Sequence, residues 1–226
     1  MSHVFDMEPE FLELYELCRA ETMTSIERMY ALWSATRHVL DNGVPGDLVE
    51  CGVWRGGSVM LMAFTLLRRG DTSRTLWLYD TFTGMTPPAD EDVQTMSGRP
   101  ARDLLREDDD AGPFRGIAPR EVVETNLART GYPNVRFVEG DVATTIPAAA
   151  PPHIALLRLD TDWYSSTRHE LEQLYPRVTP GGVLIVETSK TFVPSERGSA
   201  ADQRRLGLRV FAIHVSTELT GAETTR

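Results

Sequence analysis

The chain has 226 residues, of which 41% are hydrophobic, enough for one sizeable core. Its formal net charge of −10 argues against nucleic acid as the main partner, because phosphate binding wants a basic face. No apolar run approaches the roughly 20 residues that span a bilayer, and Met1 to Asp6 lacks the basic and apolar regions of a signal peptide. A cytoplasmic protein with no membrane partner is therefore expected.

Cys18 and Cys51 are too few for a disulfide framework, and Cys51 reads as a buried free thiol. From about Glu8 to Leu40 the apolar spacing predicts two helices, with Thr24-Ser25 as the cap region of the second. Asp47 to Gly52 reads as a first strand, Ser58 to Leu67 as a strongly apolar helix, and Thr75 to Asp80 as a second strand. From Met85 to Ile117 the pattern breaks down into Pro, Asp, Gly and Arg. Such a segment is either a lid or binding loop, or a solvated loop with no role. Arg120 to Thr130 resumes as helix. Val135 to Asp141, Ile154 to Leu159 and Val183 to Val186 read as three further strands. Strands alternating with helices predict an α/β fold with a parallel, doubly wound sheet.

The carboxyl edge of such a sheet is where ligands bind, and several motifs fall there. Leu159-Asp160-Thr161-Asp162-Trp163-Tyr164 ends a buried strand in two carboxylates one residue apart. Such a pair can hold a hard cation, act as a general base, or do both. Glu50-Cys51-Gly52-Val53-Trp54-Arg55-Gly56-Gly57-Ser58 joins the first strand to its helix. Its glycines let backbone approach a ligand, and the helix N-terminus offers free N–H groups. The spacing is not the G-x-G-x-x-G of dinucleotide enzymes. Asp80 closes the second strand and can accept both hydroxyls of a ribose. Asp141 closes the third and can accept from an amino group such as that of adenine. Each aspartate also fits a plain loop cap, but together they describe a nucleoside-binding rim.

These segments, with Tyr79-Asp80-Thr81-Phe82-Thr83-Gly84-Met85 and Glu139-Gly140-Asp141, resemble the macrocin-type (TylF/MycF) O-methyltransferase family. The resemblance covers roughly Thr22 to Val186. It implies a Rossmann-like class I methyltransferase fold with an N-terminal helical extension. It also implies S-adenosylmethionine, a divalent cation such as Mg2+, and methylation of a sugar hydroxyl in antibiotic biosynthesis. The partner would be a glycosylated natural product or a nucleotide-sugar, and the family is expected as homo-oligomers. The resemblance places Met23, Thr24 and Ser25 in the segment that closes over the cofactor. It places Glu50, Gly52, Gly56, Gly57 and Ser58 along the methionine part, Asp80 at the ribose and Asp141 at the adenine. Asp160 matches the first metal ligand and Asp162 the catalytic base. Residues 1–45 then form a helical lid region, 46–190 the cofactor-binding core and 191–226 a divergent tail, in one domain overall.

The pattern departs after Val186. The family has Asp-Asp there, completing the metal site, where this chain has Glu187-Thr188. Glu187 can still ligate; Thr188 is a poor substitute for a carboxylate. The part that follows is shorter than the fold requires, and it holds Lys190, the sole lysine. Deleting one nucleotide from GAY-GAC-TTC gives GAG-ACT-TC, which begins Glu-Thr-Ser. A reading frame shifted after Val186 therefore accounts for the departure; a naturally divergent tail is the rival. Besides a weaker oxidoreductase option, two other functions also stay open. One is a phenol or catechol O-methyltransferase. The other is a cofactor-binding protein with an impaired metal site.

Overall fold

The computed structural model describes residues 6–94, 97–107 and 117–186. The chain divides after Glu187, and all the described residues belong to the first unit. Residues 187–226, with Glu187 and the expected frame change, lie outside the described residues.

Five parallel strands form the sheet: β1 (Asp47–Cys51), β2 (Leu76–Asp80), β3 (Val135–Glu139), β4 (Ile154–Leu159) and β5 (Val178–Val186). Their order is β3-β2-β1-β4-β5, so the direction of winding reverses between β1 and β4. That switch point is where an open α/β sheet leaves a crevice at its carboxyl edge. The helices are α1 (Pro9–Cys18), α2 (Ile26–Asp41), α3 (Gly57–Arg68), α4 (Ala101–Glu107), α5 (Arg120–Ala128), α6 (Val142–Thr145) and α7 (Tyr164–Leu174).

Strand alternation divides the core into two layers. Leu48, Leu76, Leu78 and Leu156 face α1, α2, α3 and α5, where they meet Phe11, Trp33, Leu61 and Val123. Val49, Cys51, Tyr79, Leu157 and Leu159 face the opposite way, toward Val142 and Leu174 on α6 and α7. Helix α3 is apolar almost all round because it lies between the sheet and the N-terminal helices. Each fully buried Leu, Met or Phe contributes about 1.5–3 kcal/mol. The N-terminal helices therefore share the main core. Cys18 and Cys51 are both buried and free.

The sequence pattern does not mark α4, α6 or α7. Helix α7, YSSTRHELEQL, buries only Glu170 and Leu174 fully, so it has little apolar stripe to detect. Strand β5 begins at Val178, earlier than its apolar run. A register shift between Ile154 and Leu156 lets Val178 pair before Pro180-Gly181-Gly182.

Candidate active site

The carboxyl ends of β1, β2, β3 and β4 open into a cavity of about 330 Å³. Gly52, Asp80, Asp141, Asp160 and Asp162 line it from the sheet side. A smaller adjoining cavity of about 40 Å³ lies between Thr24, Glu50, Gly57, Ser58, Arg158 and Asp160.

The turn after β1 is held by Asp80. Its Oδ2 accepts from the backbone N–H groups of Val53 at 2.7 Å and Trp54 at 3.1 Å. Its Oδ1 accepts from the N–H of Phe82 at 2.8 Å. Trp54 and Phe82 both have positive φ, 47° and 55°, which is unusual for aromatic residues. One carboxylate thus clamps two strained residues, Trp54 at the cavity wall and Phe82 in the core behind it. Gly52 has φ +82°, and a Cβ there would run into the carbonyl of Asp160. The bare backbone lets β1 and β4 approach at their ends, where the Asp160 N–H donates to the Cys51 carbonyl at 2.8 Å.

Glu50 and Arg158 are paired by strand register, Glu50↔Arg158, on the same face of the sheet. Both side chains are 1% exposed and form an ion pair. The other Nη of Arg158 donates to Asp160 Oδ2 at 2.9 Å and to Thr24 Oγ1 at 3.2 Å. Arg158 thus joins the N-terminal segment, the β1 acid and the β4 rim. Glu50 Oε2 has no hydrogen-bond partner among the described residues, and the side chain lines the smaller cavity. Burial pushes the Glu50 carboxyl up to about 8, against the pull of the Arg158 charge. A ligand ammonium would meet both needs: a partner for the oxygen and a charge favouring its ionised form.

Asp162 stands at the rim, partly in water. Desolvation by the surrounding protein, reinforced by the Asp160 charge, pushes it up to about 6. A carboxylate poised there suits a general base near neutral pH. Between the two acids, Thr161 points to the opposite face, where its Oγ1 donates to Glu170 Oε2 at 3.0 Å.

Two loops complete the cavity. Glu21 is held by Arg55 at 2.7 Å, Asn126 at 3.1 Å and Arg129 at 3.2 Å. This anchors the segment that carries Met23 and Thr24 across the opening. A Cβ on Gly57 would lie 2.6 Å from the Glu21 carbonyl, so that glycine serves the packing of this segment. From the other side, Trp163 Nε1 donates to the Thr86 carbonyl at 2.7 Å. Asp92 Oδ1 accepts from the Tyr164 N–H at 2.9 Å, capping α7 from a distant loop. Gly84, Met85 and Thr86 line the cavity, so the described start of the irregular segment is part of the wall.

Of the expected site residues, Met23, Thr24, Glu50, Gly52, Gly57, Ser58, Asp80, Asp141, Asp160 and Asp162 meet around the two adjoining cavities. Ser25 and Gly56 lie outside both linings. Ser25 caps α2 and Gly56 caps α3 with φ +86°. Asp141 also caps α6 through the Ala143 N–H at 2.8 Å. Arg158, Trp54, Trp163 and Glu170 were not anticipated. Arg158 inside the apolar run of β4 was a signal; Glu170, among the polar residues of α7, gave none.

Among the described residues no three His, Cys, Asp or Glu side chains gather as a metal cluster. Asp160 and Asp162 are oxygen donors of the kind a hard cation takes. Asp160 also answers the Arg158 guanidinium, and Glu187 lies outside the described residues.

Residues 17–205 match the model of the family described as macrocin-O-methyltransferase (TylF). The chain belongs to this family. Among TylF-related proteins, it is 39% identical over 172 residues to the 8-demethyl-8-(2,3-dimethoxy-α-L-rhamnosyl)-tetracenomycin-C 4′-O-methyltransferase of Streptomyces olivaceus. It is 33% identical over 170 residues to the mycinamicin III 3″-O-methyltransferase of Micromonospora griseorubida. Each match covers 74% of this chain, but only 62% and 65% of the relative. The chain therefore spans less than two thirds of their length. The solved O-methyltransferase NovP superposes with a TM-score of 0.62 at 36% identity, covering 74% of this chain and 67% of NovP. The parallel sheet and its flanking helices form the Rossmann-like class I methyltransferase fold of the TylF family.

Proposed function

We propose that this chain transfers the methyl group of S-adenosylmethionine to a sugar hydroxyl of a glycosylated natural product or its nucleotide-sugar precursor. The observation that carries the reading is the joint placement of Glu50, with one buried oxygen unpartnered among the described residues, and Asp162 around adjoining cavities at the switch point. The 39% relative supports the sugar class, since its name specifies a 4′-O-methylation on a rhamnosylated aglycone.

The chemistry is an in-line displacement. The acceptor oxygen forms a bond to the methyl carbon, the sulfur–carbon bond breaks, and S-adenosylhomocysteine leaves. Positioning dominates such a reaction. In this reading Glu50 takes the donor's ammonium and Asp141 lies at the adenine side. Asp80 holds the β1 turn against the ribose. Asp162 accepts the proton of the hydroxyl as the oxygen–carbon bond forms. Asp160, with Glu187, is the expected carboxylate set for a divalent cation. When bound, that ion would orient the hydroxyl and lower its pKa.

Calorimetric titration with S-adenosylhomocysteine tests the donor half, with and without Mg2+. Radiolabelled methyl transfer to 8-demethyl-8-(2,3-dimethoxy-α-L-rhamnosyl)-tetracenomycin C, mycinamicin III and a simple catechol tests the acceptor half. Transfer to a glycoside and not to catechol is expected. Transfer to catechol alone would replace the sugar reading with a phenolic one. Nucleoside binding with no transfer would point to a disabled enzyme.

A further inference from the structure

Glu170 is a buried acid that the proposed chemistry does not use. It lies on α7 with 0% exposure. Its Oε2 accepts from Thr161, while Oε1 has no hydrogen-bond partner among the described residues. A buried carboxyl with an unmatched oxygen costs stability, so packing alone does not account for it. Burial raises its pKa to about 8, in keeping with a largely neutral side chain near pH 7.

What Glu170 touches is informative. Alternation along the end of β4 sends Arg158 and Asp160 to one side and Leu159 and Thr161 to the other. On the first side Arg158 holds the Asp160 carboxylate. On the second, Thr161 Oγ1 reaches Glu170, and Thr167 Oγ1 donates to the Thr161 carbonyl at 3.1 Å. The short turn carrying Asp160 and Asp162 is therefore gripped from both faces.

We propose that Glu170 is a positioning residue which, through the Thr161 hydroxyl, fixes the spacing and direction of Asp160 and Asp162. This rests on the methyltransferase reading above. It adds a residue from α7, outside the cavity lining, to the machinery of that site. A small misplacement of a reacting group can cost a large factor in rate, which is how a side chain behind the site acquires leverage.

The test uses the full chain in four forms: Glu170→Leu, Glu170→Gln, Thr161→Val and the Glu170→Leu/Thr161→Val double variant. Three quantities are read: turnover with S-adenosylmethionine and the tetracenomycin rhamnoside, S-adenosylhomocysteine affinity, and melting temperature. Glu170→Leu is expected to lower kcat about tenfold or more, with the affinity changed by less than about twofold. Its melting temperature should be equal or higher, because the unmatched oxygen is gone. Glu170→Gln, which keeps an acceptor for Thr161, should rescue most of the rate. Thr161→Val should slow turnover at least as much as Glu170→Leu, since it also removes the 3.2 Å contact with the Thr167 hydroxyl, and the double variant should be no slower than Thr161→Val.

Additive losses in the double variant overturn the proposal. So does a parallel fall of kcat, affinity and melting temperature in Glu170→Leu. If Glu170→Leu does not fold, an unchanged kcat in Thr161→Val, or no rescue by Glu170→Gln, overturns it. A wild-type chain that binds the nucleoside but methylates none of the glycosides overturns the parent reading and this proposal with it. That outcome is distinguishable because it needs no variant.

Discussion

Arg158 carries a full charge at 1% exposure, and Glu50 and Asp160 answer it with their carboxylates. Removing one partner of a buried pair leaves an uncompensated charge, which typically costs 3–5 kcal/mol. Arg158→Met should therefore destabilise the protein by about 3 kcal/mol in urea denaturation, at the low end because Asp160 is partly solvated. Replacing Glu50 by Gln in the same chain should change stability little further at pH 7, since without the Arg158 charge burial keeps the Glu50 carboxyl protonated. The thiols make a second residue-scale case. Burial pushes Cys18 up to about 12 and Cys51 well above its usual range. At pH 8 neither is a thiolate, and neither is exposed, so a disulfide reagent should label no cysteine in the native protein and two after denaturation. Rapid native labelling of either would contradict the packing. Burial of Cys51 was legible from the strand it ends. The role of Arg158 was not, although Leu157-Arg158-Leu159 lay within a motif. Its meaning depends on register with Glu50, a contact across 108 positions.

The β1–α3 connection shows the same division at the level of elements. Its glycines were readable as a close-approach turn, but the partner of each was not. Gly52 yields to Asp160 backbone, Gly57 to Glu21 backbone, and Gly56 caps a helix. Gly52→Ala combines a positive φ with a clash against main chain that cannot turn aside. It should cost more than about 1 kcal/mol and weaken nucleoside binding together with stability. Calorimetry and denaturation on one preparation would check both. Helix α7 illustrates the opposite failure of legibility. It buries few apolar groups, and its N-cap, Trp163, offers no side-chain acceptor. Asp92 supplies the cap from a loop 72 residues earlier in the chain. Asp92→Ala should therefore cost about 1 kcal/mol, typical of a lost cap, measured by urea denaturation. It should also loosen the wall formed by Met85 and Thr86. Stability within experimental error of wild type would remove that capping role.

At the scale of the molecule, the parallel sheet was readable because the first three strands alternate with helical segments; α6 and α7, which link β3 to β4 and β4 to β5, carry too little apolar pattern to show. The order β3-β2-β1-β4-β5 then places the ends of β1 and β4 side by side. This converts motifs far apart in sequence into one rim: the Glu50 turn, the Asp80 clamp, the Asp141 cap and the Asp160–Asp162 turn. The cavity spans elements from both halves of the sheet and the N-terminal segment, so a ligand there is coupled to the folding of the whole unit. S-adenosylhomocysteine at 100 times its Kd should stabilise the native state by about 2.7 kcal/mol. For a unit of this size, that is a rise in melting temperature of about 5–10 °C. Glu50→Gln, which removes the charge facing the donor's ammonium, should shrink the shift without abolishing folding. NADH should produce none, since the β1 turn lacks the spacing that cradles a pyrophosphate. A shift with NADH and none with S-adenosylhomocysteine would reassign the rim to a dinucleotide, whatever the family of the chain.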